Sequence, residues 1–146
     1  MHKNNKHSKG YDFDVLVKSS PELKEFVFTN TYGNVTIDFA KPKAVKALNS
    51  ALLKQHYGIN YWDFPDENLC PPIPGRVEYI HVLHALLNRS GVKEDITVLD
   101  IGTGATCIYP LLGHAEYNWN FIGTDIDKKA LDNAMLIIEK NKIIVV

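Results

Sequence analysis

Apolar and polar positions change their spacing partway along the chain. Up to about Asn88 the apolar residues recur mostly at helical intervals, and from Thr97 they come in short runs. The spacing predicts two short helices, Asp12–Val17 and Pro21–Phe28. Ser20 suits the N-cap of the second, with Pro21 at its first helical position and Glu22 in its first turn. Val35–Phe39 alternates as a short strand does. Pro42 opens a helix that keeps Val45, Leu48 and Leu52 on one face, and Gly58 is placed to end it. A loop dense in proline and aromatic residues follows, Ile59–Gly75. A helix is then predicted from about Arg76 to Asn88, with Ile80, Leu83 and Leu87 at helical spacing and Gly91 as its C-terminal cap.

From Thr97 the order of elements becomes informative. TVLDIG is an apolar strand that runs into glycines. ATCIYPLL reads as a short helix, its length limited by Pro110. WNFIGTD is a second strand. Asp127 can cap a helix containing Leu131, Ala134 and Ile138, and Ile143–Val146 starts a third strand. Strand, helix, strand, helix, strand argues for a parallel sheet with helices on its faces. Ligands of such sheets bind beyond the carboxyl ends of the strands. The chain thus divides into a basic flexible tail (1–10), a mostly helical segment (11–90), and the first part of an α/β domain (91–146).

Composition narrows the class. The chain has 146 residues, 45% hydrophobic and 23% charged, as a folded domain with one core does. Its net charge of −1 creates no global field toward nucleic acid or anionic membrane. Contact with a polyanion therefore needs a local patch. Met1–Gly10 is one candidate, with Lys3, Lys6, Lys9 and no acid; the plainer reading is a solvated tail. Cys70 and Cys107 form no C-x-x-C pair, which disfavours a zinc knuckle or a disulfide framework and fits a reducing compartment. No apolar run approaches a membrane span or a signal peptide, so a cytoplasmic location and no membrane partner are expected.

Candidate chemistry centres on the glycines. Gly102 and Gly104 follow a strand and open a helix, where glycine permits a tight turn and close approach of a ligand to the backbone. Asp125 ends the next strand, where a carboxylate can accept the ribose hydroxyls of an adenosine. Asp100 selects between cofactors. Beside the pyrophosphate of NAD it would repel; beside the sulfonium and ammonium of S-adenosylmethionine (SAM) it attracts. Cys107 also stands where the dinucleotide fingerprint has its third glycine. The bland alternative is that Asp100 only caps the turn and Asp125 only ends a strand.

VLDIGTGATCIYPLLG, LCPPIPGRVEYIHVL and YGNVTIDFAKPKAVKALNSALLKQHYGINYWDFP resemble the bacterial ribosomal large-subunit RNA adenine-N6 methyltransferases of RlmF type, and their eukaryotic methyltransferase-like relatives. The resemblance covers about Tyr11–Asn141. It implies a class I SAM-dependent, Rossmann-like α/β sheet, with SAM as cofactor and large-subunit ribosomal RNA as partner. It further implies that Arg76 reaches the SAM carboxylate, a bidentate match for guanidinium. Gly102 matches the glycine of the turn, Thr106 brings a hydroxyl near the methionine end, and Asp125 matches the ribose acid. Tyr57, Tyr61, Trp62 and Phe64 could stack flipped bases, although loop packing is the commoner use of such a group. His81 and His84 could form half of a metal site, with no acid or cysteine to complete it.

The resemblance also implies an Asn-Pro-Pro-Phe tetrapeptide that holds the target amine and stacks on the adenine. No Asn-Pro-Pro occurs in these residues, and KNKIIVV drifts from the pattern after Asn141. The expectation is therefore a sheet truncated after about its third strand, a cofactor half-site, and no methyl transfer unaided. Strand Val98–Ile101 would then present an unpaired edge, open to self-association. A SAM- or RNA-binding module without catalysis, an NAD-dependent oxidoreductase, and the remnant of a frameshifted gene are the competing readings.

Overall fold

The computed structural model describes residues 1–143. Helix α1, Phe13–Ser19, is capped by Asp12, whose carboxylate accepts the Val15 amide at 3.2 Å. A 3₁₀ helix, Pro21–Phe26, leads into strand β1, Val27–Thr29, which pairs antiparallel with β2, Val35–Ile37, in the register Phe28↔Thr36. The expected helix Pro21–Phe28 is therefore shorter and tighter than its sequence suggests. A three-residue strand is not stable alone, and Val27, Phe28 and Thr29 are the neighbours suited to pair with β2.

Helix α2 spans Pro42–Tyr57 and ends at Gly58 in the left-handed region (φ 69°). Helix α3 spans Ile73–Arg89, beginning three residues before the expected Arg76. Pro74 is harmless there because the first turn has amides without intrahelical partners. One of those amides, Ile73 N–H, is satisfied from α2 by Asn49 Oδ1 at 2.9 Å. At the other end, Val92 N–H reaches Leu87 C=O and Gly91 N–H reaches Asn88 C=O, the paired bonds of a glycine-terminated helix.

The α/β part contains β3 (Thr97–Ile101), α4 (Ile108–Tyr117), β4 (Asn120–Thr124) and α5 (Lys128–Lys140). Strands β3 and β4 are parallel, with Leu99 opposite Ile122 and Ile101 opposite Thr124. Asp127 caps α5 by accepting the Lys129 amide. Of the expected third strand, Ile143–Val146, residues 144–146 lie outside the described residues. The α4 side of the sheet is buried through Phe121, whereas Leu99, Ile101 and Ile122 on the opposite face are 59%, 80% and 50% exposed. The main core joins α1, α2, α3 and α4 through Leu16, Leu48, Leu52, Leu53, Val77, Ile80, Leu111 and Leu112.

Residues 1–10 are not a solvated tail. Asn5 and His7 are 2% and 4% exposed. His2 N–H donates to Glu78 Oε1 at 2.6 Å, Asn5 Nδ2 donates to Glu78 Oε2 at 2.8 Å, and Lys6 pairs with Glu116 at 3.0 Å. The acids that hold this stretch in place lie on α3 and α4, so its local composition carries no trace of them.

Candidate functional site

The glycine turn closes where β3 and β4 end together. Gly102 N–H and Thr103 N–H both donate to Thr124 C=O, at 2.8 and 2.9 Å. Gly102 and Gly104 adopt φ of +77° and +69°, a region that penalises any side chain. Gly123 is fixed for another reason: a Cβ there would meet the Thr103 side chain at 3.1–3.2 Å. Thr103 is buried against this bare strand backbone, a role that its sequence position does not reveal.

Asp125 braces the turn. Its Oδ2 accepts Gly104 N–H and its Oδ1 accepts Asp127 N–H, both at 2.9 Å. These amides, from Asp127 first and Gly104 second, hold its carboxyl below the ordinary aspartate range. A carboxylate has about four acceptor sites, so two amide bonds leave room for hydroxyl donors. Asp100 faces Gly123 across the ladder, and its Oδ2 is buried without a hydrogen-bond partner among the described residues. A buried carboxylate oxygen left unpaired is costly, and a cationic ligand at the turn would satisfy it. These residues thus fit a ligand carrying positive charge beside ribose hydroxyls.

Thr106 and Arg76 sit at the other end of the turn. The Thr106 carbonyl accepts the Trp62 indole N–H at 2.9 Å. Cys107 begins α4 in the left-handed region (φ 52°), and burial pushes its thiol up to about 12, so it is no nucleophile at neutral pH. Arg76 is exposed on α3, with Nη1 3.3 Å from Tyr109 Oη and its guanidinium over the Tyr109 ring. The structure therefore gathers Asp100, Gly102, Gly104 and Asp125 around one turn, places Thr106 on it, and brings Arg76 to the first turn of α4.

The aromatic group is largely core. Tyr57, Trp62 and Phe64 are 6–7% exposed, and Trp62 and Phe64 meet edge to face at 5.0 Å. Only Tyr61 is partly open, with Lys140 over its ring. His81 bonds Tyr117 Oη through Nδ1 at 2.6 Å and stacks on His2, while His84 stacks on Tyr117. Asn133 and Asn141 escaped the sequence reading. Asn133 Nδ2 donates to both Ala105 C=O and Asp63 C=O, and Asn141 fastens Asn60 and Tyr61 to the end of α5. Polar residues on or at the end of an amphipathic helix read as solvated, and only their backbone partners distinguish them.

The turn is one wall rather than an enclosed pocket. Among the described residues, clefts of about 720, 620 and 590 Å³ lie elsewhere, beside Phe39 and Leu69, beside Tyr11 and His56, and beside Trp62 and Asp63. Beside the turn, Ile101 and Ile126 face solvent.

Comparison with known proteins agrees with this architecture. The ribosomal RNA large subunit methyltransferase F of Pseudomonas entomophila is 50% identical over 148 residues, a match covering 98% of this chain and 47% of that protein. Its counterpart from Shewanella loihica is 51% identical over 158 residues, covering 97% of this chain and 40% of that one. The chain thus spans less than half the length of these relatives. Among solved structures, the N-terminal domain of human METTL16 in complex with SAH superposes with a TM-score of 0.88 at 36% identity, over 97% of this chain and 55% of that one. The METTL16 catalytic domain in complex with a MAT2A 3′UTR hairpin superposes with a TM-score of 0.87, covering 100% of this chain and 52% of that one. The sheet, with its preceding helical segment, is that of the class I methyltransferase fold. Residues 1–145 match the family described as RNA methyltransferase, and the chain belongs to that family.

Proposed function

We propose that this chain is the cofactor-binding portion of a SAM-dependent methyltransferase acting on the N6 amine of an adenine in large-subunit ribosomal RNA in the cytoplasm. The observation that carries the reading is the turn between β3 and α4. Asp100 Oδ2 is buried and unpaired on one side, and Asp125 is held ionised on the other. SAM, when bound, supplies the electrophilic methyl group. Asp100 attracts its cationic end, Asp125 accepts ribose hydroxyls, Gly102 and Gly104 let the backbone approach, Thr106 lies near the methionine end, and Arg76 takes the carboxylate.

The residues for a target adenine are a separate matter. No Asn-Pro-Pro is present in the 146 residues, and the turn is open. We infer that this chain binds cofactor, and RNA, without transferring methyl unaided. The edge of β3 along which no strand lies among the described residues is proposed to pair with a second copy.

Calorimetric titration with SAM, its product S-adenosylhomocysteine (SAH) and NAD tests the reading. SAM and SAH are expected to bind and NAD to give no heat. Asp125→Ala is expected to weaken SAH by at least roughly tenfold, the value of charge-assisted hydrogen bonds, with unchanged circular dichroism. Binding of NAD, or SAH affinity indifferent to Asp125, would overturn it. Methyl-labelled SAM with unmodified large-subunit RNA should give only background incorporation; clear incorporation would refute the inactive reading alone.

A further inference from the structure

We infer that Trp62 and Asn133 are positioning residues for the cofactor turn, fixing its Ala105–Thr106 backbone from behind. The inference rests on the proposed cofactor role of that turn. Its first half is held by its own sheet, through Thr124 C=O and the Asp125 carboxylate. Its second half has no such ladder, and it ends in Cys107, a non-glycine residue with φ of +52°. Such a conformation is strained and persists only where its surroundings impose it.

Two side chains from other elements provide that imposition. The Trp62 indole donates to Thr106 C=O at 2.9 Å, and Trp62 is 7% exposed. An indole N–H can only donate, so this carbonyl is its outlet within a packed environment. Asn133, on α5, divides its amide group between Ala105 C=O at 2.8 Å and Asp63 C=O at 2.9 Å. One amide therefore ties the turn to the segment that carries Trp62. The placement of Thr106, and with it the methionine end of the proposed site, depends on a loop far earlier in the chain. Both residues act through the turn's carbonyls, and neither is assigned a bond to the cofactor.

Asn141 supplies the control. It fastens the same loop, accepting Asn60 N–H at 2.9 Å and Tyr61 N–H at 3.1 Å, but bonds no atom of the turn. SAH titration and melting are compared for the parent chain, Trp62→Phe, Asn133→Asp and Asn141→Ala. Asn133→Asp keeps the side-chain shape and removes both donors. Trp62→Phe and Asn133→Asp are expected to weaken SAH by roughly five- to tenfold, the worth of one or two hydrogen bonds. Asn141→Ala is expected to lower the melting temperature but to leave SAH affinity within about twofold. In carbon-13 spectra the Thr106 carbonyl resonance should move in Trp62→Phe, and the Ala105 carbonyl in Asn133→Asp. SAH affinity unchanged in both variants, or lost equally in Asn141→Ala, would overturn the positioning role. If the parent chain does not bind SAH, the proposed function fails instead; unmoved carbonyl resonances then overturn the brace on their own.

Discussion

Gly113 has no room for a methyl group. A Cβ there would lie 2.4 Å from Phe121 Cζ and 3.2 Å from Trp119 Cε3. Phe121 is 6% exposed and packs beside Trp119, so its ring cannot swing into solvent. Gly113→Ala is expected to cost roughly 1–3 kcal/mol, as overpacking of a filled core does, read as a lowered urea midpoint. Adding Phe121→Leu shortens the side chain at the point of clash and should recover part of that loss. A double variant no more stable than the sum of its parts would show that the ring is not the cause. The contrast with Gly102 shows what a sequence can reveal about single residues. Gly102 is legible because its reason is local: a strand ends and the backbone must turn. Gly113 sits inside a helix, and its reason is a ring on the following strand. Asp125 was similarly legible as a strand-end acid, whereas its bond to Gly104 N–H, which makes it part of the turn, was not.

At the scale of elements, the docked N-terminal segment makes stability depend on pH. His7 bonds Tyr57 Oη at 2.7 Å and lies edge to face with His56. Burial, and then the neighbouring His56, Lys6 and His81, bring its pKa from 6.5 down to about 4. Within that window the unfolded chain takes up a proton that the folded chain refuses. Stability is therefore complete above about pH 6.5 and falls as the pH drops toward 4, by at most roughly 1.4 kcal/mol per pH unit for this one group. Urea midpoints collected from neutral pH to pH 5 should show the decline, and His7→Gln should flatten it; an unchanged slope would place the proton uptake at His56 or His81, which burial also lowers. The segment also shows where legibility stops. Helix ends at Gly58 and Gly91, and the cap Asp127, are readable because capping is chemistry between near neighbours. The docking of residues 1–10 is not, because Glu78 and Glu116 stand far along the chain. Val27 and Phe28 continue the expected helix in sequence but belong to β1 for the same reason: the partner strand, not their own residues, decides their state.

Across the whole molecule, the sheet is covered on one side. Phe121 faces α4, while Leu99, Ile101 and Ile122 project from the other face, and Ile126 beside them is fully exposed. Strand β3 pairs with β4 along one edge, and among the described residues no strand lies along its other edge. Bare apolar side chains next to unpaired backbone donors and acceptors make a template for association. The net charge of −1 gives little repulsion to oppose it. A partner on this edge would stand beside the proposed cofactor turn, because Ile101 immediately precedes Gly102. The purified chain is expected to show concentration-dependent association in sedimentation experiments. Ile101→Lys, a charge placed at the edge, should shift it to monomer while leaving the melting temperature nearly unchanged, since the residue it replaces is 80% exposed. A parent chain that stays monomeric at high concentration, or a variant that associates as the parent does, would remove the β3 edge as the contact. The same variant separates two roles of this face. If SAH binds the parent only at concentrations where it associates, and binds Ile101→Lys poorly at all of them, the second wall of the cofactor site comes from the associated copy. If affinity is the same in both, the turn binds as a single wall.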